Sequence, residues 1–144
     1  MTELLVFTFK DGLLSRVAHD LKLSAESVTV RREGGQLRVS VAADSLRVMC
    51  AMKSGREDHR ALSASNRREI EGVIAETILQ SRKHPTIDFV GEVRGDVVVG
   101  TLTLRGVSQP LTLPWRSTGG VVAGEVTLDQ RRFGIAPYRA MMGT

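Results

Sequence analysis

Apolar and polar residues alternate along most of this chain. Between Val97 and Trp115, Val98, Leu102, Leu104, Leu111, Leu113 and Trp115 fall on one parity on each side of a short break, and Thr101, Thr103, Arg105, Thr112 and Arg116 on the other. A period of two places successive side chains on opposite faces of a strand. The break, Gly106-Val107-Ser108-Gln109-Pro110, supplies a glycine free to take positive φ and a proline without a ladder N–H, and its length suits a hairpin loop. The stretch reads as a β-hairpin with one apolar face, and that face needs cover from protein or from a ligand.

The same period recurs on both sides. Leu4 to Phe9 reads as a short strand closed by Asp11-Gly12; Val17, Leu21 and Leu23 alternate with Arg16, Asp20 and Lys22, with His19 on the apolar parity. Val28 to Val41 reads as a second hairpin turning at Glu33-Gly34-Gly35, while Asp44 to Met52 fits no single period. After Pro85, Ile87 and Phe89 alternate with Thr86 and Asp88; after Gly119-Gly120, Val122, Val126 and Leu128 alternate with Glu125, Thr127 and Asp129. One segment departs from this pattern. Ile70, Val73, Ile74, Thr77 and Ile78 recur at helical spacing, with Asn66 as N-cap and Glu69 three residues later. This predicts an amphipathic helix from about Arg67 to Ser81, ended before Pro85. About eight short strands with one inserted helix describe an all-β antiparallel barrel or sandwich, and 144 residues without a linker or repeat describe one domain, 1–144.

Composition narrows the function. Hydrophobic content of 42% and charged content of 25% are those of a globular chain. The net charge of +4 comes from arginines dispersed over polar strand faces rather than gathered in a stripe, which argues against nucleic acid. The N-terminus has no basic leader, and its apolar run is too short to span a bilayer; a cytoplasmic protein without an integral membrane segment is the expectation. The single cysteine, Cys50, excludes an intrachain disulfide and reads as a small buried apolar residue. His19, His59 and His84 lie on three segments without local ligand spacing, so no metal and no cofactor are expected. An enzyme built on His19, Asp20 and His59 would need those side chains to converge on one pocket; a non-catalytic protein is the expectation.

Specific residues carry a likeness. Leu102-Thr103-Leu104-x-Gly106-Val107-Ser108-x-Pro110-Leu111-Thr112-Leu113 resembles the signature hairpin of the YceI-like family of lipid (polyisoprenoid)-binding proteins. Arg56-Glu57-Asp58-His59, His84-Pro85-Thr86-Ile87-Asp88-Phe89 and Arg131-Arg132-Phe133-Gly134-Ile135 resemble three further elements in the family's order. The resemblance runs from about Leu4 to Gly143. It implies a bacterial protein with a lipocalin-like, eight-stranded barrel whose interior takes an isoprenoid or similar long-chain lipid, and it implies no catalytic residues. Family members usually continue past Met141-Met142-Gly143 into a last strand, so a barrel missing that strand is a further expectation, with either a second copy covering its edge in a homodimer or an incomplete cavity.

The ligand-lining candidates are Val17, His19, Leu21, Leu23, Val39, Val41, Ile74, Ile78, Phe89, Leu102, Leu104, Leu113, Val126 and Leu128, with His19 an interior histidine suited to a head group. Each buried CH₂ contributes about 0.8 kcal/mol against an association cost of about 4–15 kcal/mol. A tail of about 15 or more buried carbons therefore reaches micromolar affinity, near −8 kcal/mol. The alternative is that these side chains pack on one another and the fold serves as a protein-interaction module with a solid core and an open strand edge.

Overall fold

A computed structural model of the chain describes residues 3–8, 20–118, 121–124, 126 and 128–135. The strands among them are β1 (Leu5–Thr8), β2 (Asp20–Ala25), β3 (Val28–Glu33), β4 (Gln36–Ala42), β5 (Leu46–Lys53), β6 (Arg56–Asp58), β7 (Thr86–Arg94), β8 (Val97–Leu104), β9 (Val107–Thr118) and β10 (Val121–Gly124). They form two antiparallel sheets, one of order β1-β2-β5-β6 and one of order β10-β9-β8-β7-β4-β3. Among the described residues these sheets do not close into the single eight-stranded barrel that the resemblance implies. The fold is mostly β with one α-helix, as expected, but the described strands number ten and divide between two sheets.

The division has a local cause. β2–β3 and β4–β5 are two halves of one long antiparallel hairpin, bent where Glu26-Ser27 faces Ala43–Ser45. Across the bend the Glu26 N–H donates to the Ser45 carbonyl at 2.9 Å and the Ala42 N–H to the Ser27 carbonyl at 3.1 Å. Ser45 Oγ donates to the Ala42 carbonyl at 2.8 Å, so the tight corner leaves few backbone groups unpaired. Beyond it, β2 pairs with β5 in one sheet and β3 with β4 in the other. A strand pair that changes sheet through such a bend makes the corner of a sandwich or an open barrel.

A β-bulge explains why Asp44–Met52 has no clean period. Lys22 pairs with Cys50 but Leu23 pairs with Val48, so Met49 is an extra residue. Leu46 and Val48 face inward before it and Ala51 after it, because the inserted residue shifts the parity by one. β6 pairs only with Ala51–Lys53, which leaves the first half of β5 without a strand on that side. Helix α1 (Ala64–Val73) covers it: the Val48 N–H donates to Glu71 Oε2 at 2.8 Å. Glu71→Ala is expected to cost about 1–3 kcal/mol by orphaning that buried N–H, and Glu71→Gln clearly less, in urea denaturation with hydrogen exchange at Val48 as the local readout.

α1 begins three residues before the expected start. Its N-cap is Ser63, whose hydroxyl accepts from the Asn66 N–H at 3.0 Å while Asn66 Oδ1 accepts from the Ser63 N–H at 3.2 Å. Asn66 is thus the third helical residue of the capping box rather than its cap. The helix widens into a π turn over Ile74–Ile78 and ends at Leu79, followed by Gln80 at φ 51°. The wide turn keeps Ile70, Ile74 and Ile78, four residues apart, on the buried side together with Leu79.

The expected five-residue hairpin loop is a two-residue turn. Leu104 pairs with Val107, and Arg105 and Gly106 both have positive φ, 53° and 76°, as in the type I′ turn that matches strand twist. Val107 to Pro110 therefore belong to β9. Pro110 and Pro114 fit a paired strand because the Trp115 N–H donates to the Asp96 carbonyl at 2.9 Å. Odd positions of β9 thus donate toward β8, and the prolines occupy even ones.

One core joins the sheets. Leu21, Leu23, Val48 and Ala51 of the smaller sheet, Leu37, Phe89, Val98 and Leu102 of the larger, and Ile70, Ile74 and Ile78 form a single buried cluster. Phe133 and Ile135 join it from a 3₁₀ turn, Gln130–Phe133, capped by Asp129 and ended by Gly134 at φ 74°. Gln109 Nε2 ties this turn to β9 by donating to the Arg132 carbonyl at 2.8 Å.

Candidate functional site

The inner face of the larger sheet is built in rows. Val41, Ile87 and Leu104 lie beside one another, as do Val39, Phe89 and Leu102, and then Leu37, Gly91, Gly100 and Leu111. In the last row two adjacent strands carry no side chain. The Phe89 ring fills part of that space: a Cβ placed on Gly91 or Gly100 would meet its edge atoms within 2.9 Å. On β3, Arg32 ends the same row beside Leu37. Arg32 belongs to β3 and Trp115 to β9, four strands apart in the sheet order, about 19 Å in a flat sheet at the usual strand spacing. Yet the Arg32 guanidinium sits 5.0 Å from the Trp115 ring centroid. The larger sheet is therefore strongly coiled, concave inward, and a cation–π contact spans the glycine row.

Burial divides the expected lining into three groups. Leu21, Leu23, Val41, Ile74, Ile78, Phe89 and Leu102 are buried, and Leu21, Leu23 and Val98 have no exposed surface at all. Val39, Leu104 and Leu113 are half-buried and pack against the same core. Val126 and Leu128 are 38% and 43% exposed and do not join the interior. Regular pairing ends at Gly124, so alternation beyond it no longer specifies a face. Val17 and His19 lie outside the described residues. Val107, Leu111 and Trp115 were not among the expected lining, yet they share the inner face with Leu113 and are likewise half-buried. Leu111 and Trp115 share the parity of Leu113 in the sequence, which is the signal for that face, whereas Val107 falls in the stretch that reads as a loop. The less covered part of the interior is thus the inner face of β9 with Leu104 at its end.

An open cavity of about 340 Å³ lies elsewhere, lined by Thr29, Arg31, Arg38, Val39, Ser40, Asp88, Phe89 and Val90. Arg31, Arg38 and Val90 are side by side in the register, as are Thr29, Ser40 and Asp88, all on the parity opposite to the core. This groove opens on the outer face, and its two guanidiniums and one carboxylate do not suit an apolar tail.

Among the described residues, His59 and His84 lie on different segments. The His84 ring packs on the β8–β9 turn, where a Cβ on Gly106 would lie 2.7 Å from its Cε1. His59 follows β6 and hydrogen-bonds through Nε2 to Glu57 Oε1 at 3.0 Å. Glu57 Oε2 lies 3.5 Å from Lys22 Nζ, and Cys50 Sγ reaches Glu57 Oε1 at 3.8 Å. The hydrogen bond from His59, then the charge of Lys22, hold the Glu57 carboxyl below its ordinary range. Burial first, and the Glu57 carboxylate second, push the Cys50 thiol up. Cys50 is buried, as expected of the single cysteine. Among the described residues no helix is long and apolar enough to cross a membrane.

A family model described as the YceI-like domain matches residues 4–144, nearly the whole chain. No curated protein matches the chain.

Proposed function

The chain belongs to the YceI-like domain family, and from that premise we propose that it binds an isoprenoid or similar long-chain lipid, without catalysis, between its two sheets. In this reading the described sheets are walls of a lipocalin-like barrel. The observation that supports it most is the incomplete cover on the inner face of β9. Leu111, Leu113 and Trp115 form a half-buried apolar strip on the concave side of the coiled sheet, separated from the half-buried Val107 and Leu104 by Gln109, whose side chain is held by the Arg132 carbonyl. A chain-shaped ligand laid along that strip replaces water on three neighbouring side chains at once, and each buried CH₂ adds about 0.8 kcal/mol.

Native mass spectrometry and organic extraction of the purified protein are expected to show one co-purifying apolar species. Leu113→Asn removes apolar contact worth about two CH₂ groups, near 1.6 kcal/mol, and should weaken retention of that species about tenfold with the fold intact by circular dichroism. Recovery of no apolar species from the unaltered protein, or unchanged retention by the variant, defeats the proposal.

A specific observation favours a second reading. Leu21, Leu23 and Val98 expose no surface, so no void that water can enter touches them. A solid core throughout would make the fold an interaction module that associates through an open strand edge, with a homodimer as its simplest assembly. It predicts a concentration-dependent dimer in sedimentation and a lipid-free protein.

A further inference from the structure

The hairpin β5–β6 carries three metal-ligating side chains on the outer face of the smaller sheet, remote in character from the apolar interior. Cys50, Glu57 and His59 each offer one ligand atom, and the three atoms all lie within 4.8 Å of one another. We propose that Cys50 Sγ, Glu57 Oε1 and His59 Nε2 bind a zinc ion.

The spacing suits that ion. Tetrahedral zinc takes sulfur at about 2.3 Å and nitrogen or carboxylate oxygen at about 2.0–2.2 Å, which places ligand atoms roughly 3.3–3.6 Å apart around the ion. Two edges, 3.8 Å from Cys50 Sγ to Glu57 Oε1 and 3.0 Å from His59 Nε2 to Glu57 Oε1, lie within a few tenths of an ångström of those values, and the third, from Cys50 Sγ to His59 Nε2, lies within 4.8 Å, so the exposed His59 ring closes on the ion by a rotation of its side chain. The donor set is mixed thiolate, imidazole and carboxylate, which selects a borderline ion of the zinc type over magnesium or calcium.

The backbone presents this set from ordered strands rather than from a long loop. Cys50 lies two residues from Met52 on the same face of β5, and Met52 pairs with Glu57 on β6. His59 comes two residues later, so one short hairpin supplies all three ligands. Cys50 is 2% exposed, whereas the Glu57 and His59 side chains are 45% and 65% exposed. The thiol thus forms the floor of a site that opens to solvent, and the fourth position faces water. Lys22 lies at the rim, 3.5 Å from Glu57 Oε2. It holds the oxygen that the metal does not use and turns Oε1 toward Cys50 and His59, at some cost in repulsion of the dication. On binding, the Cys50 thiol proton leaves to solvent and a sulfur–zinc bond replaces the S–H bond; nothing is oxidised or reduced.

The test uses the full chain, reduced and freed of metal by dialysis, titrated with Co²⁺ as a spectroscopic probe and with Zn²⁺ by calorimetry. The expected result is one ion per chain, a thiolate-to-cobalt charge-transfer band, and bleaching of that band by one equivalent of Zn²⁺. Cys50→Ser should abolish the band. His59→Asn alters an exposed ring and leaves the fold intact; it should weaken zinc binding by at least the roughly 10–100-fold that loss of a supporting partner costs in known sites. Absence of the band in the unaltered chain overturns the proposal. So does zinc affinity that is unchanged in His59→Asn, which would reduce the site to a cysteine binding alone.

Discussion

Leu21→Ala is expected to lower the stability of the protein by about 3–5 kcal/mol. Leu21 lies on the inner face of β2, paired with Thr8 on one side and Ala51 on the other, and exposes no surface. Removing three carbons forfeits about 2.4 kcal/mol of transfer free energy. A closed core adds the cost of the void left behind, which brings such substitutions to as much as about 5 kcal/mol. The magnitude also tests whether the space proposed for a ligand reaches β2. If Leu21 borders a space kept open for a ligand, truncation merely enlarges that space, and the loss stays near the transfer value. Urea denaturation of the lipid-extracted protein reads the difference: a loss near 2 kcal/mol would place the open part of the interior against β2, and a loss of about 4 would confine it to β9.

Strand alternation was enough to predict an antiparallel β protein with one amphipathic helix, and the quoted hairpin was enough to suggest the family. The departures trace to single residues that disturb a period. Met49 shifts the parity of β5, so Asp44–Met52 fits no single period although Leu46, Val48 and Met49 could continue a strand. Ser63 and Asn66 are both good cap residues, and only the three-dimensional pairing of Ser63 Oγ with the Asn66 N–H decides between them. Arg105 in a left-handed conformation is uncommon for a residue with a side chain, so a two-residue Arg-Gly turn was less apparent than a loop ending at proline. The sandwich corner has no signature of its own, because Glu26-Ser27 and Ala43–Ser45 read equally as loop. At the site, inward parity was legible but coverage was not. Leu21 and Leu113 belong to equally apolar alternating stretches, yet one is sealed and the other half-open, since coverage depends on what the fold brings across from them. The cluster of Cys50, Glu57 and His59 was illegible for a related reason. Its ligand spacing is set by cross-strand register, and the bulge at Met49 determines which residue of β5 faces Lys22.

Gly100→Ala should cost about 3 kcal/mol, whereas the same substitution at Gly72 should stabilise the protein by about 0.5–1 kcal/mol. Gly72 lies in α1 with nothing within 4 Å of an added Cβ, so alanine there only removes the entropic penalty of a helical glycine. At Gly100 the added carbon would lie 2.2 Å from the Val90 carbonyl oxygen and 2.6 Å from the Gly91 Cα. Both are main-chain atoms of the neighbouring strand, and no rotamer relieves them. For Gly91→Ala the three nearest atoms belong to the side chains of Val98 and Phe89, which can shift, so overpacking should cost less there. The strands at Gly100 would have to part, and parting them opens the tight coil that brings β3 over β9. Trp115 is the sole tryptophan and reports this directly: in Gly100→Ala its emission should change in the same sense as in Arg32→Gln, where the cation is removed from the ring without strain on the sheet. A Gly100→Ala protein of unaltered stability and emission would mean that the glycine row is not what lets the larger sheet curl. The concave wall against which a lipid tail is proposed to lie would then need another origin.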